Sequence, residues 1–269
     1  MVCWAECLGG CDTTQSREHV ISKSLFLTNT VIVKGFHWCA DTPIEIGIAS
    51  LTAKILCKSH NSGLSDLDSS GAHAFDQLRE MTRLKNVREG LKPHRWTIKT
   101  YYVDGELLER WLLKTLINIG YGKEHPIGGD ATMPGKPSDR LVRIAFGKES
   151  FQGRAGMYTV ARVGMDVTLE DRVSFDAILN GDSKVVGGLF RFRGITLLLS
   201  LEPEGIRDLR GFSFKGDDLS ATSLIFQTLN LNILVGKYLS HVLRIQRPYS
   251  AAKAPVEPSS IASRPPKRK

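Results

Sequence analysis

Between Asp68 and Gly90 the chain sets Phe75, Leu78, Met81, Leu84 and Val87 three residues apart, a spacing that brings apolar side chains back toward one face of an α-helix. Ser69 or Ser70 can serve as its N-cap and Gly90 as its stop. A second helix is predicted over "GELLERWLLKTLINIGYG": Asp104 caps it, and Leu107, Leu108, Trp111, Leu112, Leu116 and Ile119 form one apolar face. Between the two, "RWTIKTYYVD" has the β-branched and aromatic content of a strand. After the Gly/Pro-rich loop "GGDATMPGKPSD" the pattern shortens to "LVRIAF", "MYTVARV", "RVSFDAIL", "VVGGLFRF" and "ITLLLSL", which predicts a mixed region dominated by antiparallel sheet. "SLIFQTLNLNILV" and "LSHVLRIQR" suit strand or helix equally. Upstream, "TVIVKGF" and "IEIGIASLTAKILC" are strand-like, and a helix opens at about Lys58. No internal repeat is visible.

Composition adds three bounds. A chain of 269 residues that is 42% hydrophobic can pack one large core or two modest ones. No apolar run reaches the roughly 18 residues of a membrane helix, and "MVCWAECLGG" lacks the basic-then-apolar pattern of a signal peptide. A cytoplasmic location with no membrane partner is therefore the expectation. The net charge of +8 is uneven: residues 1–90 hold nine Lys and Arg against ten Asp and Glu, whereas residues 247–269 hold six against one. That basic, Pro- and Ser-rich tail is expected to stay disordered, and the overall balance suggests a polyanionic partner whose counterions Lys and Arg would release. The organisation expected is residues 1–90 as one module, 91–246 as a β-rich mixed domain, and 247–269 as the tail.

The cysteines change the picture most. Three of the five, Cys3, Cys7 and Cys11, crowd the first eleven residues, and "GGC" supplies a flexible turn. Cys57 and His60 follow as a C-x2-H pair in "ILCKSHN". Two short segments with two thiolate or imidazole donors each suit tetrahedral zinc, and the expected ligands are Cys7, Cys11, Cys57 and His60, with Cys3 in reserve. Between the clusters stand Glu18 and His19, an acid beside an imidazole, in "SREHVISKSLF".

This order of a cysteine knuckle, an acid-His pair, a β-hairpin and a second knuckle running into a helix resembles the ββα-metal, or HNH, endonuclease family over roughly residues 3–70. The resemblance implies an α+β protein with an N-terminal zinc-braced ββα, treble-clef-like module. It implies structural Zn²⁺, a separate catalytic Mg²⁺ or Mn²⁺, and nucleic acid, DNA first, as substrate. It makes His19 the general base, Glu18 a ligand of the catalytic cation and Asn61 the second ligand. The sequence departs from the family pattern at Thr52, where a central asparagine is usual, at His60, where the second knuckle usually ends in cysteine, and at Ser22 in place of proline.

The chemistry is coherent with the residues. A neutral imidazole can activate water, and Glu and Asn offer the oxygen donors that hard cations prefer. Adjacent residues on a regular strand point to opposite faces, so Glu18 and His19 converge only if the backbone is irregular between them. Two alternatives stand beside the nuclease: a non-catalytic zinc-braced nucleic-acid-binding module, favoured by Thr52, and a protein-protein adaptor, favoured by the near-neutral charge of residues 1–90. His37 is expected in hairpin packing and His73 on a helix surface. Asp66 and Asp68 are expected as helix-terminal groups, with one of them a candidate to lie behind a metal ligand.

Overall fold

The computed structural model describes residues 3–91, 97–161, 167–205, 224–227, 230–235 and 241–246. The basic tail expected to be disordered lies outside the described residues. In chain order the elements are β1 (Gln15–His19), β2 (Thr30–Lys34), β3 (Ile44–Gly47), β4 (Thr52–Cys57), α1 (Lys58–Ser62), α2 (Ser65–Glu89), β5 (Lys99–Asp104), α3 (Gly105–Gly120), α4 (Asp139–Ala145), β6 (Gly156–Ala161), β7 (Arg172–Leu179), β8 (Val185–Phe192), β9 (Ile195–Ser200), β10 (Leu224–Gln227), β11 (Asn230–Val235) and β12 (His241–Gln246). The fold is α+β.

Three sheets organise these strands. β1 and β4 form an antiparallel pair; β10-β6-β9-β8-β7-β2-β3 form a seven-stranded sheet; β11-β12-β5 form a third. In the large sheet every pairing is antiparallel except β2 with β7. The hairpin β2–β3, inserted between β1 and β4, is therefore the edge of a sheet whose other strands follow residue 155. Among the described residues, one buried cluster runs from Cys3 to Leu201, with a smaller one around Tyr158, Ile178 and Leu189. "SLIFQTLNLNILV" and "LSHVLRIQR", left open between helix and strand, contain β10, β11 and β12.

α3 is the central helix. Asp104 caps it as expected, its Oδ1 accepting from the N–H groups of Glu106 and Leu107 at 3.0 Å. Burial extends beyond the predicted face: Leu113, Lys114, Thr115, Ile117 and Asn118 are covered as well as Leu108, Trp111, Leu112 and Leu116. A helix covered nearly all round must find partners for its polar groups, and Glu109 does so by accepting from the Met157 N–H at 2.6 Å. α2 begins at Ser65, four residues before the earlier of the two expected caps, and ends at Gly90 as expected. Its apolar spacing of three drifts by about 60° per step on a helix of 3.6 residues per turn. Phe75, Leu78 and Met81 are accordingly buried, while Val87 has turned out to solvent.

"LVRIAF" is helix α4 and not the expected strand. Ser138 Oγ accepts from the Leu141 N–H at 3.4 Å, and Asp139 occupies the first turn. The buried positions Leu141, Val142, Ile144 and Ala145 follow helical spacing. The cap and that spacing outweigh the β-branched content on which the strand expectation rested.

Candidate metal centre and the adjoining Glu18–His19 site

The first knuckle is fixed to the second by backbone bonds. Trp4 N–H donates to the Ile55 carbonyl (3.0 Å) and Lys58 N–H to the Thr14 carbonyl (2.9 Å), so the segments before and after the turn both lie against β4 and its exit. Gly9 and Gly10 have φ of 71° and 68°, left-handed values that favour glycine, and they turn the chain back toward its start. Asp12 ties the return to the helix, its carboxylate accepting from the Thr14 and Ser59 N–H groups at 2.8 Å.

This arrangement gathers Cys3, Cys11, Cys57 and His60, whose donor atoms all lie within 4.8 Å of one another. His60 Nδ1 is 3.4 Å from Cys3 Sγ, 3.5 Å from Cys11 Sγ and 3.2 Å from Cys57 Sγ. Cys57, as N-cap of α1, also accepts from the His60 N–H. Three sulfurs and one imidazole nitrogen in a closed, mostly buried group fit a tetrahedral structural zinc ion. The thiols crowd one another: burial, and then the neighbouring Cys3 and Cys57, push Cys11 up to about 12. Burial also raises Cys57, but N–H groups of the His60 and Asp12 backbone and the two partner thiols outweigh it, so that its thiol lies below the ordinary value.

Cys3 takes the place expected for Cys7. Cys7 sits in the 3-10 turn Glu6–Leu8, exposed. Burial and the nearby Asp139 carboxylate raise its thiol to about 11. The reason is the Trp4–Ile55 bond, which pins Cys3 beside Cys57 while the turn carries Cys7 outward. A signal for this was present: Cys3 precedes apolar Trp4 and Ala5, both buried, whereas Cys7 follows Glu6. All five cysteines are free thiols.

β1 and β4 pair from Gln15↔Cys57 to His19↔Thr52, with a shift in register between Ser16 and Glu18. The irregularity precedes the Glu18–His19 step, so these two side chains leave on opposite faces. His19 is half-buried and faces outward with Arg17 and Thr52. Thr52 is its direct cross-strand partner, and Arg17 Nη2 donates to Thr52 Oγ1 at 3.2 Å. Burial, and then the Lys23 ammonium, hold the imidazole below its ordinary pKa, which favours the neutral ring.

Glu18 goes inward. Its Oε1 lies 2.6 Å from Lys114 Nζ, and the same ammonium is 2.7 Å from Asp68 Oδ2. Ser22 donates to Asp68 Oδ1 and accepts from Trp111 Nε1 at 2.9 Å. Asn118 Nδ2 reaches Glu18 Oε1 at 3.5 Å and the His19 carbonyl at 3.4 Å, while its Oδ1 accepts from Trp4 Nε1 at 3.0 Å. Burial raises the Glu18 carboxyl and the Lys114 ammonium opposes that rise. Asn61, the other expected cation ligand, donates through Nδ2 to Ser16 Oγ at 2.8 Å. The Glu18 carboxylate expected to ligate a divalent cation is thus already bonded to an ammonium, whereas Asn61 engages Ser16 through its amide nitrogen and not through the oxygen that would ligate.

Sequence reasoning missed Lys114 and Asn118. Lys114 did carry a signal: it lies three residues after Trp111, within an otherwise apolar stretch, where a lysine needs a partner. Elsewhere, His37 packs edge-on against Trp38 as expected, with ring centroids 4.6 Å apart, and His73 is exposed. A cleft of about 490 Å³ opens beside Cys7 and Tyr121. Its cations are engaged, Lys136 with Glu6, Arg140 with Asp130 and Arg143 with Glu149. Among the described residues no helix is long and apolar enough to cross a membrane. Comparison of the chain with family models, with curated proteins and with solved structures gives no match.

Proposed function

We propose that residues 3–62 form a zinc-braced ββα module that hydrolyses phosphodiester bonds of nucleic acid, DNA first, with His19 as general base. The observation that carries this reading is the order of elements around one ligand cluster: β1 ends at His19, pairs antiparallel with β4, and β4 passes at Cys57 directly into α1. Zinc there would hold the hairpin to the helix and fix the strand that presents the imidazole. A neutral His19 takes the proton of an attacking water, and the exposed Arg17 and Lys23 beside it meet the charge on the phosphoryl oxygens.

A second reading is a non-catalytic nucleic-acid-binding module on the same scaffold. Two observations favour it: Lys114 is bonded to the Glu18 carboxylate, and Thr52 stands opposite His19 where the resembled family carries asparagine. The test is nicking of supercoiled plasmid by the zinc-loaded chain in Mg²⁺, in Mn²⁺ and in EDTA, with His19→Ala alongside. Cleavage that falls by about 10²- to 10⁴-fold in His19→Ala, with DNA binding retained, is the expected result. Binding without cleavage replaces it with the second reading, and cleavage unaffected by His19→Ala overturns the role given to His19.

A further inference from the structure

The Glu18 carboxylate already has a cation, and that cation is part of the chain. Lys114 is 2% exposed and Glu18 6%, and their 2.6 Å contact is formed where β1 meets α3. Asp68 of α2 closes the other side of the same ammonium, with both carboxylate oxygens at 2.7 Å. Lys114 Nζ thus spans two carboxylates from two elements, and Ser22, Trp111 and Asn118 fix the groups around it. Mg²⁺ or Mn²⁺ bound through Glu18 needs the carboxylate oxygen at about 2.0–2.2 Å and several further oxygens around the ion. Lys114 occupies the space at that oxygen. Its positive charge, fixed in a poorly solvated site, would repel the entering ion.

We infer that Glu18 is not a ligand of a divalent cation but the inner end of a carboxylate–ammonium–carboxylate brace, in which Lys114 supplies the positive charge and ties β1 to α2 and α3. The brace ends one residue before His19. The inference therefore deepens the reading of this site proposed above, and it rests on that reading only for what the brace presents to solvent. Its claim about Glu18 is read by cation binding and not by cleavage, so either can fail without the other.

The experiment titrates the zinc-loaded full chain with Mn²⁺ and follows paramagnetic broadening of the backbone amide signals. In the wild type the Glu18 and His19 amides are expected to keep their intensity through an excess of Mn²⁺. Lys114→Met leaves the two carboxylates without their ammonium. It is expected to bind Mn²⁺ at least about tenfold more tightly than the wild type, with broadening at those amides, and Glu18→Gln in the same background removes the gain. A wild-type Mn²⁺ site that broadens the Glu18 and His19 amides and is lost in Glu18→Gln overturns the inference. A folded Lys114→Met that gains no Mn²⁺ affinity overturns it too.

Discussion

Lys114 Nζ lies 2.6 Å from Glu18 Oε1, joining the middle of α3 to the end of β1 inside the core. A buried ion pair adds little over a well-packed apolar pair, yet removing one partner strands the other charge. Lys114→Met is therefore expected to destabilise the chain by about 3–5 kcal/mol in urea unfolding. Adding Glu18→Gln to Lys114→Met should recover part of that loss, because the stranded carboxylate is then gone. Losses that simply add would show that the two groups do not interact.

The ligand cluster separates two cysteines that stand four residues apart in the sequence. Cys3→Ser should lose bound zinc, and with it the stability that metal binding gives the first 62 residues; Cys7→Ser should keep about one zinc per chain and the wild-type melting temperature. Zinc content by mass spectrometry under native conditions, together with thermal unfolding, distinguishes the two. Loss of zinc from Cys7→Ser alone would reverse the assignment.

Local signals in the sequence determine the element where one feature dominates. Asp104 capped α3, Gly90 ended α2, and the short turn-separated stretches from residue 172 to 200 are strands with bounds close to those expected. The second knuckle also passed into a helix at Lys58. What escaped was decided by distant parts of the chain. The choice of Cys3 over Cys7 depends on a backbone bond from Trp4 to Ile55, and the inward course of Glu18 depends on a lysine 96 positions later. The strand expectation for "LVRIAF" failed because so short a stretch, five apolar residues around Arg143, fits either period until its cap at Ser138 is weighed. The hairpin β2–β3 read as a strand pair, but nothing local indicated that it pairs with β7 across some 140 residues.

Gly71 tests how closely α2 and α3 must approach. A Cβ there would lie 2.7 Å from Trp111 Nε1 and 2.8 Å from Cδ1, closer than packed atoms allow. Trp111 is fully buried and donates to Ser22, which donates in turn to Asp68. Gly71→Ala gains helix propensity but forces this ring to move, and overpacking of a core typically costs about 1–3 kcal/mol. The expected outcome is a net loss of stability in urea unfolding together with a change in indole fluorescence. A stabilised variant with unchanged fluorescence would mean that the helices can part without cost.

His19 gives a pH dependence whose sign follows from its surroundings. Burial, then Lys23, lowers its pKa in the folded chain, with Lys114 and Arg17 acting the same way and the Asp68 carboxylate opposing them. The unfolded chain restores an ordinary imidazole near 6.5. As pH falls through that value, the unfolded state takes up a proton that the folded state does not yet accept, so folding stability falls with it and levels off only below the folded pKa. The contribution of His19 is then fully present above about pH 7 and declines from there downward. Zinc ligands also take up protons on acidification, so the comparison is made between variants at constant zinc loading. His19→Gln cannot titrate, and between pH 7.5 and pH 5.5 it is expected to lose less stability than the wild type in urea unfolding, since it lacks this term. An equal loss in both chains would show that the imidazole titrates as it does in the unfolded state, and that the neutral ring on which its role as base depends is not favoured by the fold.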